Sequence, residues 1–529
     1  AQVAAKPMPD DYSETTLPTL RDAIAESVAS PGLQCTIIFH PCVERIGQCA
    51  LLSCAQKEHI LGRQAPLFCA NSATKPLPLE DPYISRHALA VTVEDDGITL
   101  CRSAAASRCR VAGEELLQAE LFIGNARLAA GVPLALSHTV VLMLRRTSVL
   151  KSPGPAALDR SLLGSSAVMD RLREEVMRAA CSDSDVLIMG ETGVGKELVA
   201  QAIHCNSRRS DEPLVSVNMA AVPAGLASAL LFGNTKGAFT GADKARAGYF
   251  REAQGGSLFL DEVGDTPEEV QPLLLRALQQ REIQVVGGSA RKVNVRVISA
   301  TDAEIDGASC NFKSALRHRL AAIELRLPAL AEHSEDIGEL LMHFLSRACE
   351  REGRKDLLPA AHSSAHSLAR WADLFHRFSC YHWPGNIRQL ENFAGQVVVA
   401  SDTQLRIPAP IIAEMYVKKS AVGAFVDKGP GISAKPRKPM DITEVDFVKA
   451  MEHSLFEVAA VADELGVSRQ SIYRRIDASA RFRRASEIPM QDIQTTLASC
   501  GGSLGKAAFN LEVSASGLRQ RLRSLGAPT

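Results

Sequence analysis

Absent from these 529 residues is any run of about eighteen apolar side chains, the length a helix needs to cross a bilayer. No membrane span is expected, and the N-terminal stretch lacks a basic-then-apolar targeting pattern, so a cytoplasmic protein is expected. Also missing is any C-x-x-C pair, although there are 13 cysteines, an odd number, seven of them before residue 110. Zinc ligation needs paired spacings, so these thiols read as reduced and mostly buried. The formal net charge is only −1, which excludes a uniformly basic or acidic chain and leaves local asymmetry. At this length three or four domains are expected.

What is present centres on one stretch. An apolar run beginning at Val186 meets Gly190, Glu191, Thr192, Gly193, Val194, Gly195 and Lys196, and a helix-compatible segment follows. In a strand, phosphate loop and helix, glycines let backbone amides turn toward a polyphosphate, the helix N-terminus adds partial positive charge, and Lys196 reaches the outer phosphates. Glu197 stands where a Ser or Thr hydroxyl normally meets the magnesium ion. A second apolar strand beginning at Ser257 ends in Asp261 and Glu262. The first carboxylate suits the Mg2+ shell and the second suits polarising an attacking water. ATP and Mg2+ are the ligands this pattern implies.

Between these segments lie Gly237, Ala238, Phe239, Thr240, Gly241 and Ala242, a small-residue loop that nucleotide chemistry does not require. With GAFTGA and GETGVGKE, residues 162–399 resemble the AAA+ ATPases of bacterial enhancer-binding proteins, the activators of sigma-54 RNA polymerase. The resemblance implies a hexameric ring in which residues 237–242 touch sigma-54 as ATP is turned over. It implies that Asn218 holds the catalytic glutamate, that Thr301 and Asp302 occupy a sensor position usually Thr-Asn, and that Arg388 of WPGNIRQLEN reaches the nucleotide from a helical lid. A carboxylate at 302 would repel the γ-phosphate unless a cation lies between. Lys313 and Arg319 fall where the family has two arginines that cross the subunit interface. Lysine keeps the charge and loses the planar fork. Arg296 matches a further motif arginine.

The expected organisation is an N-terminal arm (1–33), an all-β sandwich (34–147), a linker (148–161), the AAA+ α/β subdomain (162–326), its helical lid (327–415), a basic linker (416–440), and two helix-turn-helix units (441–485 and 486–529). The sandwich reading rests on short β-like runs and on Asp95, Asp96 and Gly97 as a hairpin turn. Arg63, Ser85 and Arg86 sit in two segments that resemble the signatures of a forkhead-associated domain, which implies a phosphothreonine protein as partner and charge-assisted bonds from Arg63 and Ser85 to phosphate. Ala88, Ser107, Arg108 and Ala112 depart from that pattern.

Near the C-terminus the chain repeats itself, Val461, Ile472 and Ile476 aligning with Ala507, Leu518 and Leu522. Each copy resembles a Fis-type helix-turn-helix, with Arg469, Gln470, Arg474 and Arg475, then Arg519, Arg521 and Arg523, as candidate DNA contacts. The whole reads as an ATP-dependent sigma-54 activator that binds upstream DNA. Asp302 and Lys313 leave a second reading open, a non-hydrolysing ATP-gated scaffold or repressor.

Overall fold

The computed structural model describes residues 32–53, 56–70, 75–102, 106–116, 120–147, 162–239, 242–302, 312–359, 363–421 and parts of 447–522. The expected N-terminal arm falls outside the described residues up to residue 31, as do linker residues 148–161 and, from residue 422, the basic linker. The chain forms two compact units, Ala1–Asp427 and Lys428–Thr529.

Among the described residues the first unit begins with ten strands: β1 Gly32–Phe39, β2 Cys49–Leu52, β3 Glu58–Leu61, β4 Leu89–Val93, β5 Gly97–Cys101, β6 Cys109–Val111, β7 Glu114–Glu115, β8 Glu120–Gly124, β9 Val132–Leu136 and β10 Val140–Thr147. They form a six-stranded sheet, β2-β1-β10-β9-β6-β7, and a four-stranded sheet, β3-β4-β5-β8. β4 and β5 pair antiparallel across the expected turn. One core, including Cys35, Ile37, Val91, Leu100 and Leu142, is drawn from both sheets. Alternation decides which side chains enter it. In β10, Val140, Leu142 and Leu144 point inward, while Val141 and Met143 belong to a second core built largely from helices further along the chain.

The described residues that follow hold seven more strands: β11 Val186–Met189, β12 Leu214–Asn218, β13 Ser257–Asp261, β14 Glu282–Gln284, β15 Ala290–Lys292, β16 Arg296–Thr301 and β17 Ile323–Arg326. Five make a parallel sheet, β12-β13-β16-β11-β17. Its strands are near-continuous apolar runs because both faces are covered. The apolar run at Ile283 lies outside that sheet and forms an antiparallel ribbon of β14 with β15. The α/β subdomain closes with β17 at Arg326.

The lid holds helices Ile337–Arg351, Ala365–Ser379 and Asn386–Ala400. Trp371, Phe375, Phe378 and Trp383 pack with Ile38, Phe39, Val141 and Met143 of the β-domain in one cluster. Phe39 lies 4.9 Å from Phe375 and 6.4 Å from Trp371, ring centroid to centroid. Burying a phenylalanine fully contributes about 2 to 3 kcal/mol.

Beside this cluster Asp336, fully buried, accepts hydrogen bonds from the Ser165 and Ser166 amides (2.9 and 2.8 Å) and the Ser166 hydroxyl (2.6 Å). His333 Nδ1 lies 2.9 Å from the same carboxylate. The acid thus ties the first lid helix to the start of the α/β subdomain.

Of the ten described cysteines only Cys35, Cys49, Cys109 and Cys349 are buried, so the expectation of mostly buried thiols fails. Burial pushes the Cys109 thiol up to about 11. Among the described residues no helix is long and apolar enough to cross a membrane, and no cluster of metal-ligating side chains occurs.

In the second unit, helices Arg469–Ala478 and Met490–Ser499 are described. Two separate small cores form, one containing Val461, Ile472 and Ile476, the other Ala507, Leu518 and Leu522. The aligned repeat positions are therefore buried in both copies.

Replacing Asp336 by alanine would strand buried donors on two segments. Asp336→Ala is expected to lower stability by about 3 kcal/mol or more, measured by urea unfolding followed by circular dichroism. A loss under about 1 kcal/mol would mean that water takes over its role.

Candidate nucleotide site

The predicted phosphate-site residues converge at the C-terminal edge of the parallel sheet. β11 ends at Met189, and the helix Lys196–Cys205 begins at Gly195, whose φ of 99° is left-handed. Gly193 has φ 83°, and a Cβ there would sit 2.5 Å from the Gly385 carbonyl oxygen. Only glycine lets the loop turn this way while the lid backbone lies so near.

Lys196 is buried, and its ammonium donates to the Gly190 carbonyl at 3.0 Å and lies 3.8 Å from Glu262. Glu197 is exposed on the helix's first turn. Parallel register sets Asn218 beside Asp261 and Met189 beside Thr301, so one edge carries the loop, the acidic pair and the sensor position. Thr301 is buried and accepts from the Gly190 amide at 3.3 Å.

Asp302 accepts a 2.5 Å bond from the Thr192 hydroxyl. That bond holds the Asp302 carboxyl below the ordinary range. Burial pushes Glu262 above it, against the attraction of Lys196, and a hydrogen bond with Asp302 adds to the rise. Glu262 also has left-handed backbone, φ 50°, which side chains other than glycine seldom adopt.

One expectation falls differently. Asn218, expected on the glutamate, donates to Asp261 Oδ2 at 3.2 Å and accepts from the Ala221 amide. This follows from register, since Asn218 is opposite Asp261 and Glu262 lies beyond the strand end. Arg319 donates to the Leu278 carbonyl at 2.9 and 3.2 Å. Lys313 is exposed at the N-cap of helix Ser314–Leu320, and Arg317 pairs with Glu324 at 3.1 Å. Arg296 is buried and donates to the Ser184 and Ala179 carbonyls at the opposite end of its strand.

Arg388 is exposed, with its backbone amide on the Gly193 carbonyl at 3.2 Å. Two positions earlier stands a residue that sequence reading left out of the site. Asn386 is buried, with φ 49°. Its side-chain amide donates to Glu191 at 2.9 Å and to the Thr192 carbonyl at 3.1 Å, and its oxygen accepts from the Leu330 amide at 2.8 Å. The Trp-Pro-Gly-Asn turn was the available signal.

The GAFTGA loop makes its own backbone contacts. The Gly237 amide donates to Ala242 and the Ala242 amide to Phe239, Phe239 is exposed, and Ala242 is buried. Thr240 and Gly241 lie outside the described residues. The Thr235 amide donates to Val286 at 3.0 Å, so the turn of the β14–β15 ribbon braces the loop's base.

A family profile described as "Sigma-54 interaction domain" matches residues 162–326, and one described as "AAA+ ATPase lid domain" matches 331–421. Over 358 residues the chain is 36% identical to transcriptional regulatory protein ZraR of Salmonella typhimurium, spanning 66% of this chain and 74% of ZraR. The chain belongs to the sigma-54 activator family. This activator is also 39% identical over 280 residues to transcriptional regulatory protein GlrR of Escherichia coli, 52% of this chain and 59% of GlrR. The crystal structure of NtrX from Brucella abortus in complex with ATP is similar at 28% identity, covering 69% of this chain and 70% of that one, with a TM-score of 0.42.

In the activator's β-domain, Arg63 donates to the Ile84 and Pro82 carbonyls at 3.0 and 2.6 Å. The Ser85 hydroxyl lies 2.8 Å from that of Ser107, while Arg86 is exposed. In the second unit Arg474 is exposed, Arg475 sits over the Phe447 ring at 5.2 Å, and Arg521 donates to the Ile488 carbonyl at 3.4 Å. Arg469 and Gln470 begin a described helix, whereas Arg519 and Arg523 lie outside the described residues.

Asn386→Ala is expected to cost about 2 kcal/mol, because a buried amide loses its acceptor and the lid loses its hold on the phosphate loop. Tryptophan fluorescence during urea unfolding reads this directly, since both tryptophans, Trp371 and Trp383, are in the lid. Adding Glu191→Ala should then cost little more if the two residues act through one bond.

Proposed function

We propose that this sigma-54 activator hydrolyses ATP and couples it to remodelling of the closed promoter complex by sigma-54 RNA polymerase, from an upstream DNA site. The supporting observation is the gathering of phosphate loop, acidic pair and lid arginine at one sheet edge, with an exposed Phe239 on a loop braced by the β14–β15 turn. Backbone amides of 190–196 and Lys196 bind the polyphosphate, and Arg388 faces it from the lid. Asp261, oriented by Asn218, holds Mg2+, which when bound neutralises phosphate charge. Glu262 accepts the proton of the attacking water. Thr301 and Asp302 report the phosphate state to the loop through Thr192.

Residues 237–242 contact sigma-54. Arg319 leaves the Leu278 carbonyl on assembly into a ring, which the family suggests is hexameric, and joins Lys313 at a neighbour's phosphate. Arg63, Ser85 and Arg86 form the phosphopeptide-type face of a forkhead-associated-like sandwich. The two C-terminal units are helix-turn-helix DNA readers, with arginines on phosphates or bases. Promoter opening in vitro with purified sigma-54 polymerase and ATP tests the whole, and failure to open any sigma-54 promoter would reject it.

Lys196→Ala should abolish nucleotide binding, whereas Glu262→Gln should retain it and lose about a hundredfold to ten-thousandfold in turnover. Equal turnover in Glu262→Gln and wild type rules out the base assignment. Turnover should also rise with protein concentration. Arg319→Ala should reduce it by about a thousandfold, Lys313→Ala should reduce it less, and Lys313→Arg should raise it, because a planar guanidinium serves an oxyanion better. Hydrolysis independent of concentration argues against a shared site.

A further inference from the structure

The β-domain meets the lid through the outer face of its larger sheet, and the chemistry of that contact points to a role beyond ligand recognition. Ile38, Phe39, Val141 and Met143 are fully or almost fully buried there. All four share one core with the lid helices, so the lid's own hydrophobic interior is incomplete without them. The backbones also touch. At Gly338 a Cβ would lie 2.5 Å from the Ile38 carbonyl oxygen, leaving no room for a side chain or water.

Ion pairs flank this apolar centre. Arg145 of β10 pairs with Glu335, and Arg110 of β6 donates to Asp373 at 2.8 Å, a carboxylate also bonded by Arg377 at 2.6 Å. The Ser334 hydroxyl donates to the Ala130 carbonyl at 3.1 Å. Relative motion is the default for domains whose contact is small and polar, whereas here four β-domain side chains complete the lid's own core.

We infer that the β-domain is a permanent layer of the lid and not a releasable cap, so that sandwich and lid move as one body when the lid responds to nucleotide. Asn386 and Arg388 touch the phosphate loop directly, so a change at that loop is passed to the lid and carried into the sandwich. Tyr83, Arg86 and His87 are exposed and take no part in the docking contact. A partner held at those loops would ride on the lid without having to break the interface. This goes beyond the proposed ATPase function and does not require the chain to hydrolyse ATP.

Hydroxyl-radical footprinting of the full chain, alone and with a slowly hydrolysed ATP analogue plus magnesium, tests it. Met143 and Trp371 report the interface, and Trp383, bonded to the Phe378 carbonyl within the lid, is the internal reference. Met143 and Trp371 are expected to stay as protected as Trp383 in both states. Their oxidation rising while Trp383 stays protected would overturn the inference. As a second measurement, Phe39→Ala in the full chain should destabilise the lid and lower nucleotide binding and turnover together, whereas turnover above wild type would identify a releasable inhibitory cap. Should wild type bind nucleotide and lack turnover, the proposed function fails while the footprint still decides this point.

Discussion

Asn386 closes the ATPase region on itself through one buried side-chain amide. Its donors reach Glu191 and the Thr192 carbonyl, and its acceptor holds the Leu330 amide where the lid begins. These bonds join three segments far apart in sequence, and each polar group would carry a desolvation cost if left alone. The left-handed backbone at Asn386 and the close approach of Gly385 to Gly193 are the local price of the junction. With it in place, Arg388 lies over the phosphate loop, and the sheet edge, loop and lid become parts of one site.

A second layer of dependence runs outward from the lid. Asp336 binds the start of the α/β subdomain, Glu335 binds the β-domain through Arg145, and the aromatic cluster beside them is filled partly by β1 and β10. Neighbouring residues of one short segment therefore serve two different domains. The lid is central to the first unit, with the phosphate loop on one side of it and the β-domain on the other.

Much of this was legible in the residues themselves. The phosphate loop, acidic pair and parallel sheet follow from glycine placement and from apolar strands ending in charged side chains. The repeat alignment pairs six apolar positions, and all six are buried. The hairpin at Asp95 to Gly97 was visible because turn chemistry is local. Docking of the β-domain was harder to see, because it depends on contacts between residues hundreds of positions apart. One trace was present: Val140, Val141, Leu142, Met143 and Leu144 form an unbroken apolar run, whereas an antiparallel strand with one wet face should alternate. Asn218 went to another partner because register, which is not apparent in a motif, decides where that side chain bonds.

Gly338 puts this arrangement into a form that can be looked for in other chains. Glycine in a helix costs about 0.5 to 1 kcal/mol relative to alanine, and Gly338 lies in the first turn of a helix that gains nothing locally from it. The cost is offset by the β1 backbone lying where a methyl group would be. An activator with a larger residue at the equivalent helix position could not seat a strand at the same distance. The size of that one side chain would therefore separate regulators whose N-terminal domain is packed onto the lid from those whose N-terminal domain is only tethered.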